Sequence, residues 1–202
     1  MKKTLAVAFL LALWSFPAWS QDTGVYLGAS IGQADYRDAC GDVNVSGCDK
    51  TDTSWRVFAG YHFSRYFAAE LGYADLGGPK LNGVATFPSG SSAPVSASTD
   101  VTAWDLSAIG SFPVTDRLSA YGRGGIYRAE VDASGTVTIN GVPSGTSSFS
   151  GSNTGAIFGI GLKYQFLRGL AVRAEWHRYF EVKGDGADVD IDVLSVGLLY
   201  RF

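Results

Sequence analysis

The residues able to do acid-base or nucleophilic work are few. His62 and His177 are the two imidazoles of a 202-residue chain, and a Ser-His-acid arrangement would have to be built on one of them. His62 stands beside a short connection and His177 toward a long one, so they cannot share a site. A histidine satisfied by hydrogen bonds in an interior is the reading for each. Gly145-Thr146-Ser147-Ser148 lies in a polar connection, without the strand-turn-helix setting that lifts a nucleophilic serine. Gly122-Arg123-Gly124-Gly125 precedes no helix, so no phosphate cradle follows from it; glycine there suits close packing or curvature of a wall. Asp185, Asp188, Asp190 and Asp192 are acidic enough to attract calcium but lack the glycine and closing glutamate of a calcium loop. Cys40 and Cys48 frame one polar stretch, and in an exported chain a local disulfide is the natural reading. No catalytic, cofactor or metal site is read from the sequence.

Export itself is read from the first twenty residues. Lys2 and Lys3 precede an apolar core from Leu5 to Leu13 and a small-residue exit at Ala18-Trp19-Ser20, the pattern of a secretory signal peptide cut before Gln21. The apolar run is shorter than the ~20 residues a spanning helix needs. Residues 21–202 would then form one domain with a formal charge of -5, since removing two lysines takes -3 to -5. That balance excludes a basic nucleic-acid surface, and 46% hydrophobic residues exclude disorder.

What must position the remaining charged residues is a set of strands. Eight segments of about ten residues alternate with period two, near 24–35, 54–63, 66–76, 101–112, 117–130, 154–166, 169–180 and 191–202. Their connections alternate in length. Ser64-Arg65, Pro113 to Asp116 and Leu167-Arg168 are short, whereas 36–53, 77–100, 131–153 and 181–190 are long and rich in Gly, Ser, Asp and Thr. Short turns on one side and long loops on the other describe an up-and-down meander, and no run of eighteen apolar residues offers a helix to cross a bilayer.

The two faces of each segment decide which kind of barrel this is. Leu194, Val196, Leu198, Tyr200 and Phe202 form a wholly apolar set, while Ser195, Gly197 and Arg201 fall between them. Arg56, Glu70, Asp105, Arg123, Lys163, Arg173 and Glu175 all lie on the set opposite the greasy one, which predicts a polar interior wrapped by lipid. Aromatic spacing agrees. Trp55 and Phe63 are eight residues apart, as are Trp104 and Phe112, and eight residues at ~3.3 Å, tilted ~40°, cross roughly 20 Å of membrane. Phe63, Phe67, Phe112, Phe166 and Phe202 would form a girdle at the short-turn side, and Trp55, Tyr73, Trp104 and Trp176 one at the long-loop side.

Taken together, Gly24-Val25-Tyr26-Leu27-Gly28-Ala29-Ser30-Ile31-Gly32, Glu70-Leu71-Gly72-Tyr73-Ala74-Asp75-Leu76-Gly77, Phe112-Pro113-Val114-Thr115-Asp116-Arg117-Leu118 and the ending Val196-Gly197-Leu198-Leu199-Tyr200-Arg201-Phe202 carry a resemblance. The chain resembles the transmembrane domain of the outer membrane protein A and opacity-type surface protein superfamily. That resemblance implies an all-β, eight-stranded antiparallel barrel in the bacterial outer membrane, in contact with lipid and lipopolysaccharide, with Phe202 read by the barrel assembly machinery. It implies a charged lumen network from Glu70, Arg173 and Glu175. Ile109 stands where some relatives have a lysine and Lys163 where an acid is found, so the pairing must be rewired. A diagonal Lys163–Glu175 pair and an Arg123–Asp105 pair are expected. The larger relatives append a periplasmic peptidoglycan-binding domain, which a chain ending at Phe202 would lack.

The function expected is non-enzymatic: a structural or surface-interaction barrel displaying its loops to a host surface or extracellular ligand. The alternatives are an outer-membrane lipid-modifying enzyme, a narrow porin, and a soluble carrier of lipocalin type with its apolar faces inward. Solubility discriminates the last of these. A membrane barrel should fractionate with the outer membrane, need detergent, and migrate differently on electrophoresis before and after boiling. A monodisperse folded sample in plain buffer would restore the carrier.

Overall fold

The computed structural model describes residues 23–37, 48–86, 92–139, 142–183 and 188–202. The signal-peptide reading and Cys40 of the disulfide reading lie outside them. Strands account for nearly all of the described chain: β1 (Gly24–Tyr36), β2 (Cys48–Asp49), β3 (Thr51–His62), β4 (Phe67–Gly77), β5 (Lys80–Thr86), β6 (Ser92–Pro113), β7 (Leu118–Ile139), β8 (Val142–Leu167), β9 (Leu170–Lys183) and β10 (Asp188–Arg201). Among the described residues, eight of these close a cylinder in the order β1-β3-β4-β6-β7-β8-β9-β10, with β10 returning to β1. All neighbours are antiparallel, and closure leaves no edge at membrane depth, as hydrocarbon demands of a sheet.

Each wall residue's side follows its parity. On β10 the even positions face lipid, with Leu194 66% and Phe202 73% exposed, while Ile191, Val193 and Leu199 are buried within. The short turns are built for tightness. Ser64 Oγ accepts from the backbone N–H of Tyr66 and Phe67, and Thr115 Oγ1 accepts from that of Arg117 and Leu118. Gly169 takes φ 80° in the two-residue turn between β8 and β9, and a Cβ there would sit 2.8 Å from the Arg201 carbonyl oxygen.

The long connections differ from the sequence reading. Much of 77–100 and 131–153 is strand. β6, β7 and β8 run on past the upper aromatics, and β5 pairs along 80–86 with 98–92 of β6. The Ser, Thr and Gly content suggested loops, but the backbones pair with the neighbouring strand, β5 with β6, β6 with β7 and β7 with β8. The result is a projection of the same sheet above the barrel, in which β2, β5, β6, β7 and β8 pair in that order.

Two irregularities shape the rim. Between Val189 and Ile191 the register of β10 on β9 slips, so that Phe180 and Glu181 together oppose Asp190, and Glu181 takes φ 54°. Asp190 Oδ1 accepts from the Glu181 N–H at 3.1 Å, which holds that bulge. A second slip at Gly77, φ 61°, turns β4 toward β5.

A charge on the lipid face at mid-depth tests the orientation directly. Leu198→Arg should cost about 2–4 kcal/mol in urea unfolding from liposomes, whereas Leu198→Ile, which keeps the face apolar, should cost far less.

Candidate lumen charge network

Six charged residues from five strands meet at the centre of the lumen. Arg56 (β3), Glu70 (β4), Asp105 (β6), Arg123 (β7) and Arg173 with Glu175 (β9) are all buried, three cations against three anions. Equal numbers matter, since an unpaired buried ion is costly in a medium of low dielectric.

Glu70 is the node. It accepts from Arg56 Nη1 at 2.9 Å, from Arg173 Nη1 and Nη2 at 2.7 and 3.2 Å, from Arg123 Nη2, and from the Tyr26 hydroxyl at 3.0 Å. β4 and β9 lie four strands apart whichever way the cylinder is followed, so the Glu70–Arg173 pair ties opposite walls together. Asp105 takes Arg56 through two parallel bonds of 2.9 and 2.8 Å, then Arg123 Nη1 and the Ser107 hydroxyl, each at 3.1 Å. Glu175 lies 3.0 Å from Arg123 Nε and 3.1 Å from Arg173 Nη2, accepts from the Tyr121 hydroxyl, and has His177 Nδ1 at 2.9 Å.

Glycine makes the space. A Cβ on Gly72 would strike the Arg56 guanidinium, and one on Gly161 would lie 2.5 Å from the Tyr121 hydroxyl. The inward positions without side chains are where the long network residues lie flat against the wall.

The ions do not fill the lumen alone, which corrects the expectation of a polar interior. Above them stands an apolar layer that includes Tyr36, Leu76, Tyr127, Ile157, Tyr179 and Ile191; below them stands a second with Tyr26, Phe58, Ile109, Tyr121 and Leu199. The Arg173 guanidinium packs over Phe58 at 4.2 Å and Tyr121 at 5.3 Å, joining the charged layer to the lower one. The upper layer is pinned by the Tyr36 hydroxyl donating to the Gly77 carbonyl at 2.7 Å and that of Tyr127 to Phe180 at 2.6 Å. Between the network and the upper layer, beside Ser30, Ser54, His177 and Ser195, a cavity of about 10 Å³ has room for roughly one water.

The pairing differs from the expectation at one residue. Arg123 reaches Asp105, but Lys163 does not reach Glu175. Lys163 pairs in register with Arg173, one step below, and Glu175 faces Gly161 across β8 and is already taken by Arg123 and Arg173. The sequence reading also missed Tyr26 and Tyr121. Their signal was aromatic rings on the inward parity, where Gly60 and Gly161 make room for them.

The aromatics face lipid. Trp55, Tyr73 and Trp104 pack at tilted angles across β3, β4 and β6, with centroids 5.8 and 4.9 Å apart, and Trp176 continues the level on β9 beneath Arg178. Phe63, Phe67, Phe112, Phe166 and Phe202 are exposed on the short-turn side. Just above the tryptophans, Arg37 and Arg178 both bind Asp192. Burial opposes ionisation of Asp192, yet the hydrogen bonds from Arg178 and Arg37 prevail and hold its carboxyl below the usual carboxylate range.

Comparison with known proteins follows the same lines. Residues 20–202 match the family model described as OmpA-like transmembrane domain. Outer membrane protein P5 of Haemophilus influenzae is 30% identical over 87% of this chain and 51% of its own length. Outer membrane protein A of Klebsiella aerogenes is 29% identical over 100% of this chain and 56% of its own. The chain thus spans about half the length of the curated relatives it matches. Among solved structures, Neisserial surface protein A superposes with a TM-score of 0.61 at 17% identity, covering 89% of this chain and 97% of that one.

Glu70→Gln should cost about 3–5 kcal/mol, because three arginines lose their shared anion; the unfolding midpoint of the unboiled form on electrophoresis would read it. Glu175→Gln should destabilise in the same sense, whereas Lys163→Gln, outside the network, should not. At the rim, the Asp192 contribution is present above the ordinary carboxylate pKa and lost as pH falls through the depressed one. Asp192→Asn should therefore lower the neutral plateau of stability against pH and flatten its acid limb, with little change below both pKa values.

Proposed function

The chain belongs to the OmpA-like transmembrane domain family, barrels of the bacterial outer membrane, and from that premise we propose a non-enzymatic barrel with a closed lumen that works through what it displays outside. The observation that carries the reading is the sheet above the membrane. β7 pairs with β8 from Ile139–Val142 down to the short turn, and beyond the upper aromatics each strand continues for about ten residues, roughly 30 Å at ~3.3 Å per residue. β9 pairs with β8 only from Ile157 downward, so among the described residues the stretch of β8 around Gly145–Gly151 has a neighbour on one side alone. Ser147, Ser148 and Ser150 with Phe149 are exposed there. An unpaired strand of small polar residues can add an extended segment of another molecule by backbone hydrogen bonds.

The layered lumen supports the closed half of the reading. An apolar layer on each side of a neutral ion cluster leaves little for water to follow, and eight strands leave an interior that side chains fill. Both histidines are inside the lumen: His177 lies against Glu175 within the network, and His62 packs on Tyr26 below it, so neither is placed at the lipid face where a lipid-modifying site would need it.

Bacteria expressing the chain should adhere to a host-cell monolayer through the projection. Replacing 133–149 by an Asn-Gly turn should keep the heat-shifted migration of a folded barrel and lose adhesion; retained adhesion would overturn the display role. In the same preparations, liposome swelling with a small sugar should stay at background, and a clear swelling rate would favour the porin reading.

A further inference from the structure

Below the lower apolar layer the lumen ends in a cup facing the short turns. Its wall carries His62 on β3, Ser119 on β7, Lys163 and Gln165 on β8 and Arg201 on β10, with Ser119, Lys163 and Arg173 in one cross-strand row. No carboxylate joins them. Among the described residues the Lys163 and Arg201 side chains have no hydrogen bond or ion pair. His62 is 8% exposed, its ring packs on Tyr26 at 4.6 Å, and its Nδ1 is buried without a partner. Tyr26 pairs in register with Arg201 as well as packing on His62, Lys163 lies opposite Arg173, and the carboxylate nearest above them is Glu70, bonded to Tyr26 and Arg173. Glu70 is already shared among three arginines and Tyr26. The network above is neutral, so the charge of the cup is left over.

Half-buried cations that repel one another, beside an orphaned imidazole nitrogen, are expensive unless something negative answers them. The partner that fits is small, because the lower apolar layer closes the cup from above. It carries several oxygens, because an ammonium, a guanidinium, a hydroxyl and an amide stand on inward positions at this one end of the lumen. We propose that this cup is a binding site for a phosphate-class oxyanion, held by Lys163 and Arg201 with His62, Ser119 and Gln165 completing its hydrogen bonds. A guanidinium offers such an ion a planar fork and an ammonium offers it a point charge. The phosphate could be free in the compartment below or belong to a phospholipid headgroup folded over the rim.

The test uses the full chain refolded in a nonionic glucoside detergent. Titration with inorganic phosphate should show saturable heat and raise the unfolding temperature, and sodium chloride at equal ionic strength should do neither. Lys163→Gln should weaken binding about tenfold or more, which is 1.4 kcal/mol per tenfold, while Arg117→Gln in the neighbouring exposed turn should not change it. If Arg201→Gln fails to refold, Lys163→Gln alone decides. A second arm measures, by native mass spectrometry, the phosphatidylglycerol retained after release from a bilayer. Retention that Lys163→Gln abolishes, without binding of free phosphate, upholds the oxyanion site and assigns it to the headgroup. Binding in neither arm, binding that Lys163→Gln leaves intact, or an equal effect of chloride overturns the proposal.

Discussion

A carboxylate shared by three guanidiniums holds this barrel at its waist. Glu70 gathers Arg56, Arg123 and Arg173 from β3, β7 and β9, and through Arg173 it joins walls that no backbone hydrogen bond connects. The backbone hydrogen bonds of an eight-stranded cylinder run only around its circumference, neighbour to neighbour. Struts across the middle set its cross-section, and their geometry explains several local choices: glycine at 72 and 161, tyrosine at 26 and 121, and a serine at 107 that completes Asp105.

Lipid outside the wall reverses the usual logic of burial. Leu198 or Phe112 gains nothing by turning inward, because acyl chains serve it as well as a protein core. The interior is therefore free to be built from whatever packs and pairs. Here it is stratified: an apolar layer, a neutral ionic layer, a second apolar layer, and then a cationic mouth. The ionic layer sits where water is kept out from both directions, which strengthens each ion pair and raises the penalty for losing any single partner.

The cylinder itself was legible in the sequence because period-two alternation, paired aromatics and turn lengths all report on one geometry. The six network residues could be named, with Lys163 as a seventh that stays outside the network, for the same reason, since parity assigns the inner face without any knowledge of pairing. Parity does not say which inner residues touch. Lys163 and Glu175 are on the same face and adjacent strands, yet Lys163 lies opposite Arg173, and the register that decides this is invisible in a single chain. The apolar layers escaped notice because Tyr36, Leu76 and Tyr127 on an inward parity look like exceptions to a polar set rather than members of a stratum. The extensions of β6 to β8 escaped because Ser, Gly and Thr are turn formers by composition, and only the neighbouring strand shows that their backbones are paired.

β7 and β8 cross the membrane boundary without a break in pairing between Val137 and Leu118. A hinge at the headgroup level would let whatever is bound at the tip swing freely and leave the wall undisturbed. With continuous pairing the projection is a lever instead, and a pull on it is carried down the same two strands that hold Tyr121, Arg123 and Gly161. A load on the projection would thus be borne by the waist of the cylinder, whose cross-struts are the elements able to resist its flattening.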